Sequence, residues 1–213
     1  MPLEIIAPPV ARYLDALVPA RAPELQAMEA EATRTGFPII GPAAGYFCHL
    51  ITRLHNAHTV FELGSGFGYS TAWFARGVRE NGGGRVHHTV WDPGLTARAR
   101  VHLDTLGLGH LVEYHEGEAV QALRESDGNF DLIFIDIDKA GYPGALPVIA
   151  EKLRPGGVLI ADNLLWSGKV LDGDDHSPDT EGIREFTRLV TGDPRWIASL
   201  VPIRDGLLVA TRR

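Results

Sequence analysis

The segment V-F-E-L-G-S-G-F-G-Y-S-T-A-W-F-A, residues 60–75, constrains the fold more than any other part of the chain. The short apolar run Thr59–Leu63 predicts a strand. Glycines at alternate positions (Gly64, Gly66, Gly68) predict a turn, and the apolar periodicity after them predicts a helix. A strand feeding a glycine turn and then a helix is the ligand-handling unit of open parallel sheets. Glycine lets a ligand approach the main chain closely, and the helix N-terminus offers unpaired N–H groups. The spacing is G-x-G-x-G rather than the dinucleotide pattern G-x-G-x-x-G, and an acid, Glu62, stands two residues before the first glycine. A carboxylate there suits a ligand carrying an amino group and hydroxyls better than one carrying a pyrophosphate. A glycine turn that binds nothing is the plain alternative.

Around this unit the hydrophobic pattern alternates. Strands are predicted over 59–63, 85–91, 111–115, 130–136 and 158–161, with helices over 94–106, 118–125, from about 140 through Leu153, and near 180–191. Pro155-Gly156-Gly157 reads as a turn before the fifth strand. Two closing strands, 196–202 and 206–211, read as a hairpin joined at Arg204-Asp205-Gly206. The run F-D-L-I-F-I-D is apolar without alternation, as a parallel strand buried on both faces requires. Ahead of the first strand, 8–18 and 22–35 read as amphipathic helices separated by Pro19 and Pro23, and Pro42 suits the first turn of a third helix ending near Leu54. The first two belong to no β-α unit, so they pack on the sheet edge, cover the active site or join a partner subunit. The expected class is α/β: a doubly wound, mostly parallel sheet with an antiparallel finish, ligands lying at the carboxyl ends of its strands.

At 213 residues and 45% hydrophobic, the chain suffices for one domain, taken as 1–213 with helices in 1–36 and the core in 37–213. No apolar run reaches membrane-spanning length, and M-P-L-E-I-I-A-P-P lacks the basic region and apolar core of a signal peptide. The single cysteine, Cys48, excludes an internal disulfide framework and suits a reducing cytoplasm. A net charge of −7 argues against a nucleic-acid backbone as partner, although a local basic patch stays open.

Chemistry concentrates at two strand ends. Asp136 closes the run 130–135, and Asp162 and Asn163 close the run 158–161. If these strands are neighbours, three side-chain oxygens converge on the rim that holds the glycine turn. Two carboxylates and an amide are hard ligands, suited to Mg²⁺ first, then Mn²⁺ or Ca²⁺, rather than zinc. Polar strand ends also arise simply because strands end in solvent. Lys139, three residues past Asp136, reaches the same rim. There a cation and a cationic cofactor would disfavour its ammonium form and make it a candidate general base. A solvated lysine paired with Asp138 is the alternative. The nine histidines form no H-E-x-x-H or Cys/His spacing and read as structural. The acidic stretch 171–179 reads as a mobile loop at the pocket mouth or a solvated one, and Phe37, Tyr46, Tyr142 and Trp166 as an aromatic wall or ordinary packing.

Taken together, E-x-G-x-G-x-G, F-D-L-I-F-I-D-I-D-K-A-G-Y and L-R-P-G-G-V-L-I-A-D-N-L-L-W-S-G resemble the cation-dependent class I O-methyltransferases, of the catechol and caffeoyl-CoA type. The resemblance runs from about Phe37 to the end and includes Gly41–Gly45. It implies a Rossmann-like seven-stranded sheet, S-adenosylmethionine (SAM) as methyl donor, a divalent cation on Asp136, Asp162 and Asn163, and Lys139 with Asp136 as catalytic residues. It implies cofactor contacts at Ile40, Gly41, Glu62, Gly64, Ser65, Gly66, Gly68, Ser70, Asp92, Glu118, Ala119 and Asp136, acceptor contacts at Lys139, Asn163 and Trp166, and a homodimer. The acceptor implied is a small hydroxylated molecule with vicinal oxygens. Val90 stands where such enzymes carry a ribose-binding acid, so Asp92 substitutes or the ribose is held differently; Glu118 replaces the usual aspartate near the adenine. The rival readings are a tRNA wobble-uridine methyltransferase of the same fold, a nicotinamide oxidoreductase, and a binding subunit with a decayed cofactor site.

Overall fold

The computed structural model describes residues 5–213; the first four residues of the N-terminal segment lie outside it. Three helices, α1 (Pro8–Leu17), α2 (Pro23–Thr35) and α3 (Gly41–Leu54), precede β1 (Thr59–Leu63). Then follow α4 (Tyr69–Glu80), β2 (Arg85–Val90), α5 (Pro93–Thr105), β3 (Val112–Glu116), α6 (Ala119–Glu125), β4 (Phe130–Ile135), α7 (Tyr142–Lys152), β5 (Leu153–Ala161), α8 (Pro178–Gly192), β6 (Trp196–Val201) and β7 (Leu207–Arg212). The strands form one seven-stranded sheet in the order β3-β2-β1-β4-β5-β7-β6. The first five are parallel, and β7 inserts antiparallel between β5 and β6. The chain therefore reverses direction across the sheet between β1 and β4, which leaves a crevice at their carboxyl ends.

Alternation along β4 shows why residues 132–135 are all apolar. Leu132 and Phe134 enter the core beneath α3, α4 and α5, whereas Ile133 and Ile135 enter the core beneath α6, α7 and α8. All four are fully buried, and each such side chain contributes roughly 1.5–3 kcal/mol of burial free energy. Helix starts follow local chemistry: prolines open α1, α2 and α3, and Asp92 and Glu118 cap α5 and α6.

One sequence expectation is corrected. Pro155-Gly156-Gly157 does not precede the fifth strand but lies inside it. Phe130 pairs with Leu153 and Leu132 with Val158, so β5 carries a bulge over residues 154–157. The bulge turns Arg154 back to Asp131, its Nε 2.6 Å from Oδ1. The backbone N–H groups of His58 and Thr59 donate to the other oxygen of the same carboxylate. A run that reads as a breaker is thus absorbed because its polar neighbours are satisfied across the sheet.

Candidate active site

β4 and β5 are adjacent and in register, with Ile135 paired to Ala161. The residues immediately beyond that pair, Asp136 and Asp162, therefore emerge side by side. The Asp136 N–H donates to Leu63 O at 2.8 Å and the Asp162 N–H to Ile135 O at 3.1 Å, which carries the sheet to its rim. Against this rim lies the glycine turn. Gly64 has φ +88°, and a Cβ there would sit 2.3 Å from Asp136 O, so the turn closes only with hydrogen at this position.

Ile40, Gly64, Ser65, Gly66, Ser70, Glu118, Ala119, Asp136, Lys139, Asp162, Asn163 and Trp166 surround one cleft of about 690 Å³, a volume suited to a cofactor and a small acceptor. Val90 and Trp91 line it at the end of β2.

Four expected cofactor residues fall outside the lining. Asp92 accepts the Gly94 N–H at 2.7 Å and caps α5, so one of its carboxylate oxygens is committed to the helix start. Gly68 instead allows α4 to approach α5, where a Cβ would meet the Ala99 Cβ at 3.0 Å. Gly41 packs beneath the Arg204 guanidinium. Glu62 lies fully buried under the turn, where Thr71 Oγ1 donates to its Oε2 and its Oε1 has no partner at hydrogen-bonding geometry. Burial pushes the Glu62 carboxyl up to about 7, against the pull of the Ser70, Thr71 and Ser65 hydroxyls.

Lys139 is buried, and its partner is Asp136 rather than Asp138. Its Nζ donates to Asp136 Oδ1 at 2.6 Å, Ile137 O at 3.1 Å and Tyr142 OH at 3.2 Å. Three acceptors of the protein thus face the ammonium. Tyr142 is not part of an acceptor wall: fully buried beneath Lys139, it donates its hydroxyl to Ile135 O and Asp162 O at 3.0 and 3.1 Å. Tyr46 also leaves the cleft and stacks on His49, while Phe37 and Trp166 remain in the lining.

Burial, and then the neighbouring Asp136 charge, push the Asp162 carboxyl up to about 7. Asp162 Oδ1 accepts the Asn163 N–H at 2.8 Å. Asn163 has φ +63°, a left-handed conformation that directs its amide along the rim. Its Nδ2 donates to Asp205 Oδ2 at 3.2 Å, which leaves the carbonyl end of the amide available. The acidic stretch is largely exposed, as its solvated reading expects, and its backbone is tied to α8. Arg184 donates to the carbonyls of Lys169, Val170, Asp172 and Asp175, and Asp179 accepts the Ala140 N–H at 3.0 Å.

Sequence reasoning missed Asp205, Thr71 and the buried role of Tyr142. Asp205 carried a signal only as a turn residue, because its partners lie about forty positions away.

An open sheet with this strand order, a glycine turn at its reversal point and acids on the facing rim is the architecture of SAM-dependent methyltransferases. The family model described as O-methyltransferase matches residues 22–213. A catechol O-methyltransferase of Niastella koreensis is 33% identical over 212 residues, covering 94% of this chain and 95% of the relative. An O-methyltransferase from Bacillus cereus, solved in complex with SAH, superposes with a TM-score of 0.87 at 29% identity, covering 96% of this chain and 97% of that one. The Streptomyces achromogenes O-methyltransferase TomG, solved with SAM, gives a TM-score of 0.85 at 27% identity and covers 96% of each chain. The chain belongs to the O-methyltransferase family and is a SAM-dependent O-methyltransferase. Among the described residues, no helix is long and apolar enough to cross a membrane.

Proposed function

We propose that the chain methylates one hydroxyl of a small acceptor with vicinal oxygens, catechol-like, and depends on a divalent cation, Mg²⁺ first. The observation that carries this reading is the adjacency of Asp136 and Asp162 with the Asn163 amide beside them. Burial and then the Asp136 charge raise the Asp162 carboxyl, against the pull of the Asn163 N–H, Lys139 and Arg204, and among the described residues Lys139 is the cation paired directly with Asp136. Such an oxygen set fits a hard cation. Asp136, Asp162 and Asn163 would hold it, and it would supply Lewis acidity toward the acceptor oxygens. SAM would supply the electrophilic methyl group. The 33% identity to a catechol O-methyltransferase supports the acceptor class.

The chain's own residues then have defined tasks. Ser65 and Ser70 line the cleft next to the glycine turn and favour the polar end of the cofactor there, while Glu62, buried beneath the turn with one carboxylate oxygen lacking a partner, lies behind them. Lys139, its Nζ held against Asp136, Ile137 O and Tyr142 OH at the rim, is the group placed to exchange a proton with the acceptor hydroxyl. Trp166 bounds the acceptor side, its buried Nε1 without a hydrogen-bond partner. Bringing donor and acceptor together in one cleft supplies the positional part of the rate enhancement.

Turnover of a catechol panel with SAM, with and without EDTA, tests this. Methylation abolished by EDTA and restored by Mg²⁺ is expected; activity indifferent to chelation would remove the cation from the reading, and methylation of tRNA but of no catechol would reassign the acceptor. A homodimer belongs to the same proposal: α1 has no buried residue and exposes Val10, Tyr13 and Leu17. Light scattering is expected to give twice the chain mass.

A further inference from the structure

His87, Glu113 and His115, which sequence spacing leaves scattered, meet on one face of the outer strands. His87 and Glu113 are register partners across the parallel β2–β3 pair. His115 lies two residues beyond Glu113, so all three side chains leave the same face of the sheet. His87 Nδ1 is 2.9 Å from His115 Nε2, Glu113 Oε1 is 3.6 Å from His115 Nε2, and the same oxygen is 3.9 Å from His87 Nδ1. Ligands around a tetrahedral zinc at Zn–N of about 2.0–2.1 Å stand roughly 3.3–3.5 Å apart, so the three atoms need shift by only a few tenths of an ångström.

The rings are held in place by packing. His87 stacks on Phe61 at 5.4 Å and meets the edge of Phe130 at 5.1 Å, and His115 lies 5.7 Å from Phe61. Glu113 is half-exposed and His115 partly exposed, so the cluster opens to solvent, which provides an entry path and leaves room for a solvent ligand beside the three side chains. Burial lowers both imidazoles, His87 to about 4, so both are neutral near pH 7. None of the three lines the cleft.

We infer that His87, Glu113 and His115 form a second metal site, for zinc or a similar late first-row divalent ion, that staples the edge strand β3 to β2. Two imidazoles and one carboxylate form a borderline set that selects zinc over magnesium, in contrast to the all-oxygen set at the cleft. The ion takes the place of the proton shared between the rings. The donating imidazole carries that proton on its other nitrogen instead, so no proton is released; the ion's two positive charges are offset in part by the Glu113 carboxylate.

Titrating chelator-treated protein with Zn²⁺ in excess Mg²⁺ tests the site. One tight equivalent is expected, weakened at least about tenfold by His115→Gln and by Glu113→Gln, and retained by Asp162→Asn. Co²⁺ is expected to give visible d–d absorption in the wild type and in Asp162→Asn but not in His115→Gln. Zn²⁺ is expected to raise the melting temperature of the wild type and of Asp162→Asn, and not that of His115→Gln or Glu113→Gln. Glu113 is exposed enough for its variant to fold, so the comparison stands even if a histidine variant does not. Zn²⁺ bound equally by wild type, His115→Gln and Glu113→Gln, Zn²⁺ lost in Asp162→Asn, or no Zn²⁺ bound at all would overturn the inference, leaving an ordinary hydrogen bond between two histidines.

Discussion

Asp205 holds Asn163. The carboxylate of this hairpin-turn residue accepts the Asn163 amide through Oδ2 at 3.2 Å, and the Ser167 N–H through Oδ1. Backbone pairing reinforces the clamp: the Leu164 N–H donates to Gly206 O and the Leu165 N–H to Asp205 O, at 3.0 and 2.8 Å. Asn163, Trp166 and Ser167 all have positive φ, a conformation that persists only where neighbours impose it. The antiparallel β6–β7 hairpin thus fixes the loop that presents the rim residues. Asp205→Ala is expected to weaken Mg²⁺ or Mn²⁺ binding about tenfold, with SAM affinity changed less than about twofold, and Asp205→Asn, which keeps one acceptor, to recover part of the loss. Calorimetric titration of cation and SAM separately checks the split; equal losses in both would mean the loop has simply collapsed.

A second prediction concerns Glu62. Its carboxyl sits at about 7 in the folded chain against 4.5 in the unfolded chain, mainly through burial. Between those values the folded state binds more protons than the unfolded state, so this group makes stability fall as pH rises through the window. Glu62→Gln removes the effect. The variant is expected to gain on the wild type as pH rises from about 5 to 8, by on the order of 2–3 kcal/mol. Urea unfolding at both pH values measures the difference. His88 works in the opposite sense: burial lowers it to about 3, and its stabilising contribution is lost as pH falls below 6.5, but it is common to both proteins and cancels in the comparison.

Much of this site is legible in the sequence because it rests on short-range patterns. The apolar runs of β4 and β5 are buried on both faces, so the placing of Asp136, Asp162 and Asn163 at strand ends follows from pattern, while their meeting on one rim depends on β4 and β5 being neighbours in register, which the pattern leaves open. Relationships across the sheet are a different matter. Asp92 reads as a cofactor acid, yet the Gly94 N–H at the start of α5 takes one of its oxygens, because a capping bond needs only two residues of chain. Gly68 reads as a ligand glycine, yet its neighbour is Ala99. Asp205 and the histidine cluster depend on residues 28 to 42 positions apart, and no local period reports those.

Proton competition at Asp162 gives a third prediction. Its carboxyl is held near 7 by burial and by Asp136, so a proton and a cation compete for it across the neutral range. Cation affinity is expected to fall as pH drops through 7, by up to about tenfold per pH unit below it, with activity recovered at higher cation concentration. Asp162→Asn is expected to bind weakly and without this slope. Mn²⁺ binding measured at pH 8, 7 and 6 distinguishes the two; a flat wild-type profile would show that Asp162 is not a ligand.

The glycine turn gives a fourth. A Cβ at Gly64 meets Asp136 O at 2.3 Å, whereas at Gly128, also with positive φ, nothing lies within 4 Å. Gly128→Ala therefore carries backbone strain alone, about 1–2 kcal/mol. Gly64→Ala adds a clash with the main chain of the adjacent strand and is expected to lose about 1–3 kcal/mol more. Denaturant midpoints of the two variants check the difference. Equal losses would mean that β1 and β4 can part at their carboxyl ends, and the close approach that places Asp136 would not be a constraint.

Lys139 separates a chemical role from a structural one. Its Nζ is the point where Asp136, Ile137 O and Tyr142 OH converge, and the tyrosine beneath it is fully buried and bonded to both strand ends. Lys139→Ala is expected to lower kcat by at least about a hundredfold, the usual range for loss of a general acid or base, with SAM affinity within about threefold. Lys139→Arg keeps the charge, but its planar fork cannot meet three acceptors arranged around a single nitrogen, so it is expected not to restore the rate. Tyr142→Phe leaves Ile135 O and Asp162 O without this donor, an expected loss of about 1–2 kcal/mol in stability with a smaller fall in kcat than Lys139→Ala. If lysine acts only as a strut for Asp136, arginine and alanine variants will lose cation affinity in step with rate, and the limb of the pH–rate profile assigned to the base will survive. If it exchanges the acceptor's proton, the limb will vanish in Lys139→Ala while cation binding persists, a split that no loosening of the rim alone produces.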